Sequence, residues 1–202
     1  TRTRLSFESA ILRLGAKLIS TENAASNSST RKGEILEDTI RVVEQYADAI
    51  VMRHSDDRAA EIAVSVSNVP ILNAGSGKGE HPAQALLDVY TIRKHKKSID
   101  GIKVAVLGDL KYGRTVHSLL QLLSLYDNVE FFGLSKKAFE LPEEYVTMLK
   151  EKNLKYTVVN SFDELPKDLD VMYHTRIQSE RFEGDFGREE NIITQEVLNK
   201  FS

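Results

Sequence analysis

The sequence has no cysteine and no tryptophan among its 202 residues. Disulfide bonds, thiolate nucleophiles and cysteine-ligated zinc or iron–sulfur sites are therefore excluded from its chemistry. The lack of cysteine also fits a reducing, cytoplasmic location. No hydrophobic run approaches the roughly 18 residues of a membrane span, since even the most apolar stretch, residues 119–125, contains Gln121 and Ser124. The sequence thus predicts a soluble protein with no membrane partner.

An excess of charge of one sign is also absent. The 27 Lys and Arg residues against 30 Asp and Glu give a formal net charge of −3, which provides no global attraction to nucleic acid. A function that needs cations must therefore gather them locally. Hydrophobic residues make up 41% of the chain, which is enough to fill a packed core and excludes a disordered chain.

The chain begins at Thr1 rather than at methionine, which is typical of a fragment. A targeting peptide would precede residue 1. Its absence from the sequence therefore carries no information about location.

Short β-branched runs alternate with amphipathic stretches along the chain, which is the pattern of βαβ units around a parallel sheet. Strands are predicted at residues 16–19, 49–52, 70–72, 103–107, 129–133, 155–159 and 171–173. Helices are predicted at residues 4–14, 34–46, 58–66, 83–94, 115–123, 143–152 and 194–201. The predicted fold class is α/β.

A basic polar run, Arg93–Ser98, followed by Asp100 and Gly101, interrupts this pattern where a long helix ends and a new strand begins. We place a domain boundary there, which gives domains of residues 1–95 and 96–202. Each domain is expected to be an α/β unit with a parallel sheet. A site is expected in the cleft between them, at the carboxyl ends of the strands.

The segment Thr1–Arg4 lies directly before a predicted helix and combines two hydroxyls with two guanidinium groups. Unpaired backbone N–H groups and the helix dipole add to these donors, so the segment could hold a phosphate. The same residues also suit an ordinary helix cap with solvated arginines.

Polar residues follow four predicted strands, where sites of α/β proteins are built. The segments are Arg53–His54, Asn73–Gln84, Gly108–Thr115 and His174–Gln178. A single Arg or His at a strand end is more often a surface residue than a ligand. Four such strand ends together favour a site.

Three familiar motifs are not matched. Gly75–Gly79 resembles a P-loop, but Leu72 stands where its first glycine belongs and Gly79 where its Ser or Thr belongs. Gly108–Gly113 lacks the G-x-G-x-x-G spacing of dinucleotide sites. The five histidines have no metal-ligand spacing. An ATPase, a nicotinamide enzyme and a metal site are therefore not predicted.

Several of these segments carry a family resemblance. They are Thr1–Glu8, Met52–His54, His81–Gln84, Gly108–Ser118 and Thr175–Gln178. In order and spacing, over essentially the whole chain, they resemble the aspartate carbamoyltransferase catalytic chain. The resemblance implies transfer of the carbamoyl group of carbamoyl phosphate to L-aspartate in pyrimidine biosynthesis, with no cofactor and no metal. It also implies a homotrimer, with sites at the interfaces between its subunits.

The resemblance assigns a role to each matching residue. Those implied for carbamoyl phosphate are Thr1, Arg2, Thr3, Arg53, His81 and Gln84. Among them Arg53, His81 and Thr3 are implied to be catalytic by facing the carbamoyl oxygen, while Gln84 accepts from the carbamoyl amine. Those implied for aspartate are Lys32, Arg114, Arg176 and Gln178. Ser28 and Lys32 would come from a neighbouring subunit, on the polar segment 23–33, which we expect to be a mobile surface loop.

The charges agree with this assignment. Carbamoyl phosphate and aspartate each bring about two negative charges, which repel strongly in a water-poor cleft. The implied cations are Arg2, Lys32, Arg53, Arg114 and Arg176. Guanidinium groups suit the planar forks of carboxylate and phosphate.

The chain departs from the family pattern in four places. The family has a serine before the first threonine, and a His-Pro-Leu-Pro-Arg segment in its second domain, and this sequence contains neither. Ser76 and Ala83 stand where Asp and Thr are usual. We therefore expect an enzyme chain that is incomplete at both ends.

Two alternatives remain. Ornithine carbamoyltransferase shares the phosphate half, but ornithine has a cationic side chain that would call for acidic groups rather than Arg114 and Arg176. A non-catalytic paralogue acting as a scaffold is the other. The sequence leaves open whether regulatory chains or fused pyrimidine-pathway domains are present.

Overall fold

The computed structural model describes residues 2–21, 33–77, 81–176 and 193–201. The internal contacts divide the chain into two compact units, Thr1–Ala83 and Gln84–Ser202. Each unit is an α/β structure with its own parallel sheet, as predicted. This division comes earlier in the chain than the boundary expected after residue 95. One helix, Pro82–His95, runs through both positions, and the expected domain boundary stays a prediction.

The first unit contains a two-stranded sheet with helices around it. Its elements are α1 (Arg2–Arg13), α2 (Leu36–Val43) with a 3₁₀ turn (Glu44–Tyr46), β1 (Ile50–His54), α3 (Ala59–Val66) and β2 (Ile71–Ser76). β1 and β2 are parallel, from the Ile50–Ile71 pair onward. The small core of this unit centres on Ile40, Ile50 and Ala63. Because the strands are parallel, their carboxyl ends lie at the same edge.

The second unit is larger. Its elements are α4 (Pro82–His95, beginning at the end of the first unit), β3 (Lys103–Leu107), α5 (Arg114–Leu123), β4 (Glu130–Leu134), a 3₁₀ turn (Lys137–Phe139), α6 (Glu143–Glu151), β5 (Lys155–Val159), a 3₁₀ turn (Phe162–Glu164), β6 (Val171–His174) and α7 (Gln195–Leu198). All four strands are parallel and stand in the order β5-β4-β3-β6.

β3 is one of the two inner strands of this sheet, between β4 and β6, and is covered on both faces. Val104 and Val106 pack into one hydrophobic cluster, while Ala105 and Leu107 pack into another. Side chains alternate between the faces of a strand, so an unbroken apolar run is what a doubly covered strand requires. The chain winds outward through β4 and β5 and returns to β3's other side as β6. The loops after β3 and β6 therefore lie side by side at the point of the sheet where such folds bind ligands.

Six of the seven predicted strands are confirmed, with β3 and β5 at their predicted bounds. Residues 16–19 are not a strand: they belong to no helix or strand, and Ile19 is 83% exposed. Their apolar side chains have no sheet face to cover. The predicted helices are present, although the one at 34–46 ends in a 3₁₀ turn and the last one stops at Leu198. Among the described residues, no helix combines the length and the apolar character that crossing a membrane requires.

Candidate functional site

In the first unit, the end of β1 meets the start of α1. The Arg53 guanidinium donates a hydrogen bond from Nη1 to Oγ1 of Thr3, at 2.7 Å, although the two residues are 50 positions apart. Arg53 lies where the β1–β2 register shifts, between Met52 and His54. A bulge of this kind turns a side chain away from its regular direction. The structure thus brings together two of the three residues predicted to be catalytic.

This meeting point has the properties of an anion site. The first turn of a helix presents backbone N–H groups without intrahelical partners, and its dipole favours negative charge. Arg2 and Thr3 lie in that turn of α1, and both Arg2 and Arg53 are exposed. Arg4 is paired instead with Glu8, at 2.6 Å, and this hydrogen bond lowers the pKa of the Glu8 carboxyl.

The glycine-rich segment after β2 has a structural role beside this site. The Gly77 N–H donates to the His54 carbonyl oxygen at 3.0 Å, which ties the ends of β2 and β1 together. Gly77 has a φ of +41°, and a Cβ there would collide with the Asp57 carboxylate. Glycine is required at this position by the close approach of the backbone.

His81 and Gln84, predicted on the same segment, lie at the start of α4. His81 directly precedes the helix and Gln84 is in its first turn, and both are half-buried. The Gln84 Nε2 donates to Oδ1 of Asp88, one turn further along, at 2.8 Å. Gln84 is therefore held by a neighbour on its own helix.

In the second unit, the loops after β3 and β6 are bound to each other. The Thr175 N–H donates to the Leu107 carbonyl oxygen at 2.9 Å, and its hydroxyl lies 3.2 Å from that oxygen and 3.3 Å from the Asp109 carbonyl oxygen. Gly108 has a φ of +100°, and a Cβ there would collide with the Thr175 carbonyl oxygen. Only glycine permits this approach of the two loops.

The β3–α5 loop is also fixed from within. Asp109 is fully buried, and its Oδ1 accepts from the Tyr112 N–H at 2.9 Å, while its Oδ2 has no hydrogen-bond partner among the described residues. On α5, His117 donates from Nε2 to the Leu110 carbonyl oxygen at 2.8 Å and stacks on Tyr145. Burial lowers the pKa of His117, which favours the neutral imidazole near pH 7.

These loops place two of the cations predicted for aspartate. Arg114 is the first residue of α5 and is half-buried, and Arg176 follows β6 and is exposed. β3 and β6 are neighbours in the sheet, so the two arginines follow adjacent strands. The predicted residues Thr1, Ser28, Lys32 and Gln178, and the expected loop at 23–33 apart from Gly33, lie outside the described residues.

The sequence reasoning missed the residues that support the site. Asp88 contacts Gln84, and its Oδ2 accepts from the Tyr173 hydroxyl at 3.0 Å, from a residue 85 positions away. The Gln-x-x-x-Asp spacing on a predicted helix could have indicated the first contact. Nothing in the sequence pairs Asp88 with Tyr173. Within the described ranges, no group of three or more His, Asp or Glu side chains is placed to hold a metal ion.

Two family models match the chain. Residues 1–94 match the "Aspartate/ornithine carbamoyltransferase, carbamoyl-P binding domain", and residues 100–201 match the "Aspartate/ornithine carbamoyltransferase, Asp/Orn binding domain". The two matches together take in nearly the whole chain. Gln84 and Arg53 fall in the first match, and Arg114 and Arg176 in the second.

Relatives and solved structures agree with the family models. The aspartate carbamoyltransferase catalytic subunit of Methanocaldococcus jannaschii is 54% identical over 90% of this chain and 59% of its own length. The chloroplastic aspartate carbamoyltransferase 2 of Pisum sativum is 46% identical over 98% of this chain and 53% of its own. The Trypanosoma cruzi aspartate transcarbamoylase in complex with aspartate and phosphate has a TM-score of 0.85 and 40% identity, covering 100% of this chain and 64% of that one. The chain thus spans less than two thirds of the length of these proteins.

Proposed function

Since the chain belongs to the aspartate/ornithine carbamoyltransferase family, we propose that the full-length protein transfers the carbamoyl group of carbamoyl phosphate to L-aspartate. The products are N-carbamoyl-L-aspartate and phosphate, in pyrimidine biosynthesis. The observation that carries the proposal is the contact of Arg53 with Thr3 at the start of α1, which places a guanidinium beside a helix terminus, an arrangement that favours anion binding.

The first substrate is proposed to bind in the first domain. Its phosphate is assigned to Thr1, Arg2, Thr3 and Arg53. Its carbamoyl oxygen is assigned to Arg53, Thr3 and His81, and its amine to the carbonyl of Gln84. Domains of residues 1–95 and 96–202 complete this proposal.

The reaction needs no covalent intermediate. The amine of aspartate attacks the carbamoyl carbon, and negative charge develops on the carbamoyl oxygen. The bond from the carbamoyl carbon to the phosphate oxygen then breaks, and the departing phosphate can take up the proton that the amine loses. Donors that are already oriented toward the carbamoyl oxygen stabilise the transition state, and the loss of one typically costs about 100-fold to 1000-fold in rate. Holding both substrates in one site supplies much of the remaining acceleration.

The second substrate is proposed to bind through its two carboxylates. Arg114, Arg176 and Gln178 are assigned to them, with Lys32 as a further cation. Arg114 and Arg176 follow adjacent strands of one sheet, which supports a shared role. Ornithine is the second candidate because the family models include both enzymes. Its cationic side chain would be repelled by these arginines, which favours aspartate.

A substrate comparison tests the activity. Full-length protein is given carbamoyl phosphate with either aspartate or ornithine, and the carbamoylated amino acid is measured. We expect turnover with aspartate and a kcat/KM for ornithine lower by at least about 1000-fold, the loss of two charge-assisted contacts. Turnover with ornithine but not with aspartate would overturn the proposal. The absence of turnover with either amino acid would also overturn it and would favour a non-catalytic scaffold.

Arg114→Ala is expected to raise the KM for aspartate by about 10-fold to 100-fold, because a hydrogen bond to a charged group contributes about 1.5–3 kcal/mol. The KM for carbamoyl phosphate should change far less. Steady-state kinetics with each substrate varied in turn provide the measurement. Lys150→Ala, an exposed cation on α6, is the matched control. Equal weakening toward both substrates would contradict the role of Arg114.

We also propose a cytoplasmic homotrimer in which Ser28 and Lys32 of one subunit complete the site of the next. Regulatory chains or fused pyrimidine-pathway domains are compatible with this assembly. The polar composition of residues 23–33 supports it, because such a segment suits a loop that extends outward.

Subunit mixing tests the shared site. Full-length Lys32→Ala and Arg53→Ala chains are each expected to be nearly inactive. When dissociated and reassembled together they should regain part of the activity, because some interfaces then combine an intact Lys32 with an intact Arg53. If hybrids form, as shown by mass, and no activity returns, the site lies within one chain.

A further inference from the structure

Asp88 is the centre of a hydrogen-bond network that joins three elements of the second unit. Its Oδ1 accepts from Gln84 Nε2 on α4 at 2.8 Å, and its Oδ2 accepts from the Tyr173 hydroxyl on β6 at 3.0 Å. Tyr173 is in turn hydrogen-bonded to Thr115 on α5. Each carboxylate oxygen thus has its own donor, and the carboxylate is fixed in its plane.

The protonation states in this network follow from burial. Desolvation raises the pKa of Tyr173 to about 12, so its phenol keeps its proton and acts as a donor to Asp88. Burial is the largest effect on Asp88 and raises the pKa of its carboxyl above the usual value, and the hydrogen bonds from Gln84 and Tyr173 only partly offset this effect. Both donors favour the ionised carboxylate.

An ionised carboxylate accepts hydrogen bonds and donates none, whereas the amide of Gln84 has an NH₂ group at one end and a carbonyl at the other. In the structure the NH₂ end faces Asp88 and donates to its Oδ1, and the reverse orientation would set the amide oxygen against that carboxylate oxygen. The carbonyl is the opposite end of the same amide. Asp88 thus determines which end of the amide is presented away from it.

We propose that Asp88 is a positioning residue that orients the amide of Gln84, so that the site favours an acyl phosphate carrying an N–H over one carrying a methyl group. This inference rests on the proposed function and on Gln84 contacting the carbamoyl amine. A carbonyl acceptor forms a hydrogen bond with the NH₂ of carbamoyl phosphate. The methyl group of acetyl phosphate, which is otherwise similar in shape, cannot donate this hydrogen bond.

Substrate discrimination in the full-length protein is the first test. We compare the KM for carbamoyl phosphate with the inhibition constants of acetyl phosphate and of inorganic phosphate in wild type, Asp88→Asn, Tyr173→Phe and Asp88→Glu. In Asp88→Asn the new side chain can present either an oxygen or an NH₂ group to Gln84, so the amide of Gln84 is no longer held in one orientation. We expect the preference for carbamoyl over acetyl phosphate to fall by about 10-fold, the loss of about one neutral hydrogen bond.

The other variants distinguish the loss of the Gln84 amide orientation from a general structural effect on the site. Tyr173→Phe should reduce the preference by about 2-fold, because the contact of Gln84 with Asp88 remains. Asp88→Glu should restore part of it. Inorganic phosphate should bind as in wild type throughout, and Asp168→Asn, an exposed carboxylate paired with Lys103, is the control. If Asp88→Asn weakens all three ligands equally, the residue is merely structural and the proposal fails.

The exchange of the Gln84 side-chain amide protons, measured by spectroscopy, tests the orientation of the amide independently of enzyme activity. The side-chain amide protons of Gln84, assigned by their loss in Gln84→Met, should be protected from exchange in wild type and Tyr173→Phe but not in Asp88→Asn. Unchanged protection in Asp88→Asn would overturn the inference even for an active enzyme. Protein that shows the expected protection but makes no carbamoyl aspartate would instead contradict the proposed function.

Discussion

Arg53→Ala in the full-length protein is expected to lower kcat by at least about 100-fold while the fold is retained. Arg53 is exposed at the end of β1 and contacts Thr3 at the start of α1, so its removal leaves little unfilled space in the core. Its assigned partner is the carbamoyl oxygen, where charge develops in the transition state. The loss of one such donor costs about 2.7–4 kcal/mol. Steady-state turnover and a thermal melt of the same sample measure both effects.

Two controls make this result specific. Arg58→Ala removes an exposed cation of the same unit, which is paired with Glu61 at 3.7 Å and has no assigned role, and should leave turnover unchanged. Arg53→Lys keeps the charge but not the fork of donors, and should recover only part of the rate. Turnover of Arg53→Ala within about 3-fold of wild type would show that the assigned role is wrong.

Gly108→Ala should destabilise the full-length protein by about 3 kcal/mol or more. The residue has a φ of +100°, and a Cβ there collides with the backbone carbonyl of Thr175, which a backbone bond to Leu107 holds in place. The clash therefore cannot be relieved by a side-chain rotation. Urea unfolding followed by circular dichroism measures the loss.

Gly101→Ala separates the collision from backbone strain. Gly101 also has a positive φ, of +78°, but no atom lies within 4 Å of a Cβ built there. It should cost about 1 kcal/mol, from the strain alone. If the two variants lose equal stability, the close approach of the β3 and β6 loops is not what requires glycine at position 108.

β3 was predictable because burial on both faces leaves an apolar run. The partly exposed edge strand β5 was predictable because its aromatic and β-branched residues favour strand structure. β3 and β5 have the bounds predicted from sequence because polar residues or turns limit them on both sides. Residues 16–19 have the same local appearance but lie at the surface, with Ile19 exposed. A short apolar run does not reveal whether a neighbouring strand exists to pair with it.

The candidate site was predictable to the extent that it follows strand ends. Arg53, Arg114 and Arg176 could be nominated because parallel strands bring their carboxyl ends to one edge. Thr3 was placed beside Arg53 only through the family resemblance, and the pairing of Asp88 with Tyr173 was not predicted. The contacts of Arg53 with Thr3 and of Asp88 with Tyr173 join positions 50 and 85 residues apart, so they depend on how the chain packs rather than on local spacing.

The position of β6 beside β3 also affects how the second unit forms. β6 pairs with β3 only after the chain has formed β4 and β5, some 65 residues later. The hydrogen bond from the Lys103 N–H to an Asp170 carboxylate oxygen, for example, joins residues 67 positions apart. Closing so large a loop costs entropy before any contact repays it, and such parallel pairings are slow to form. A nascent chain that ends before β6 therefore exposes the edge of the most hydrophobic strand in the unit. That edge is a template for pairing with other chains, so a newly made polypeptide is most prone to aggregate in this interval.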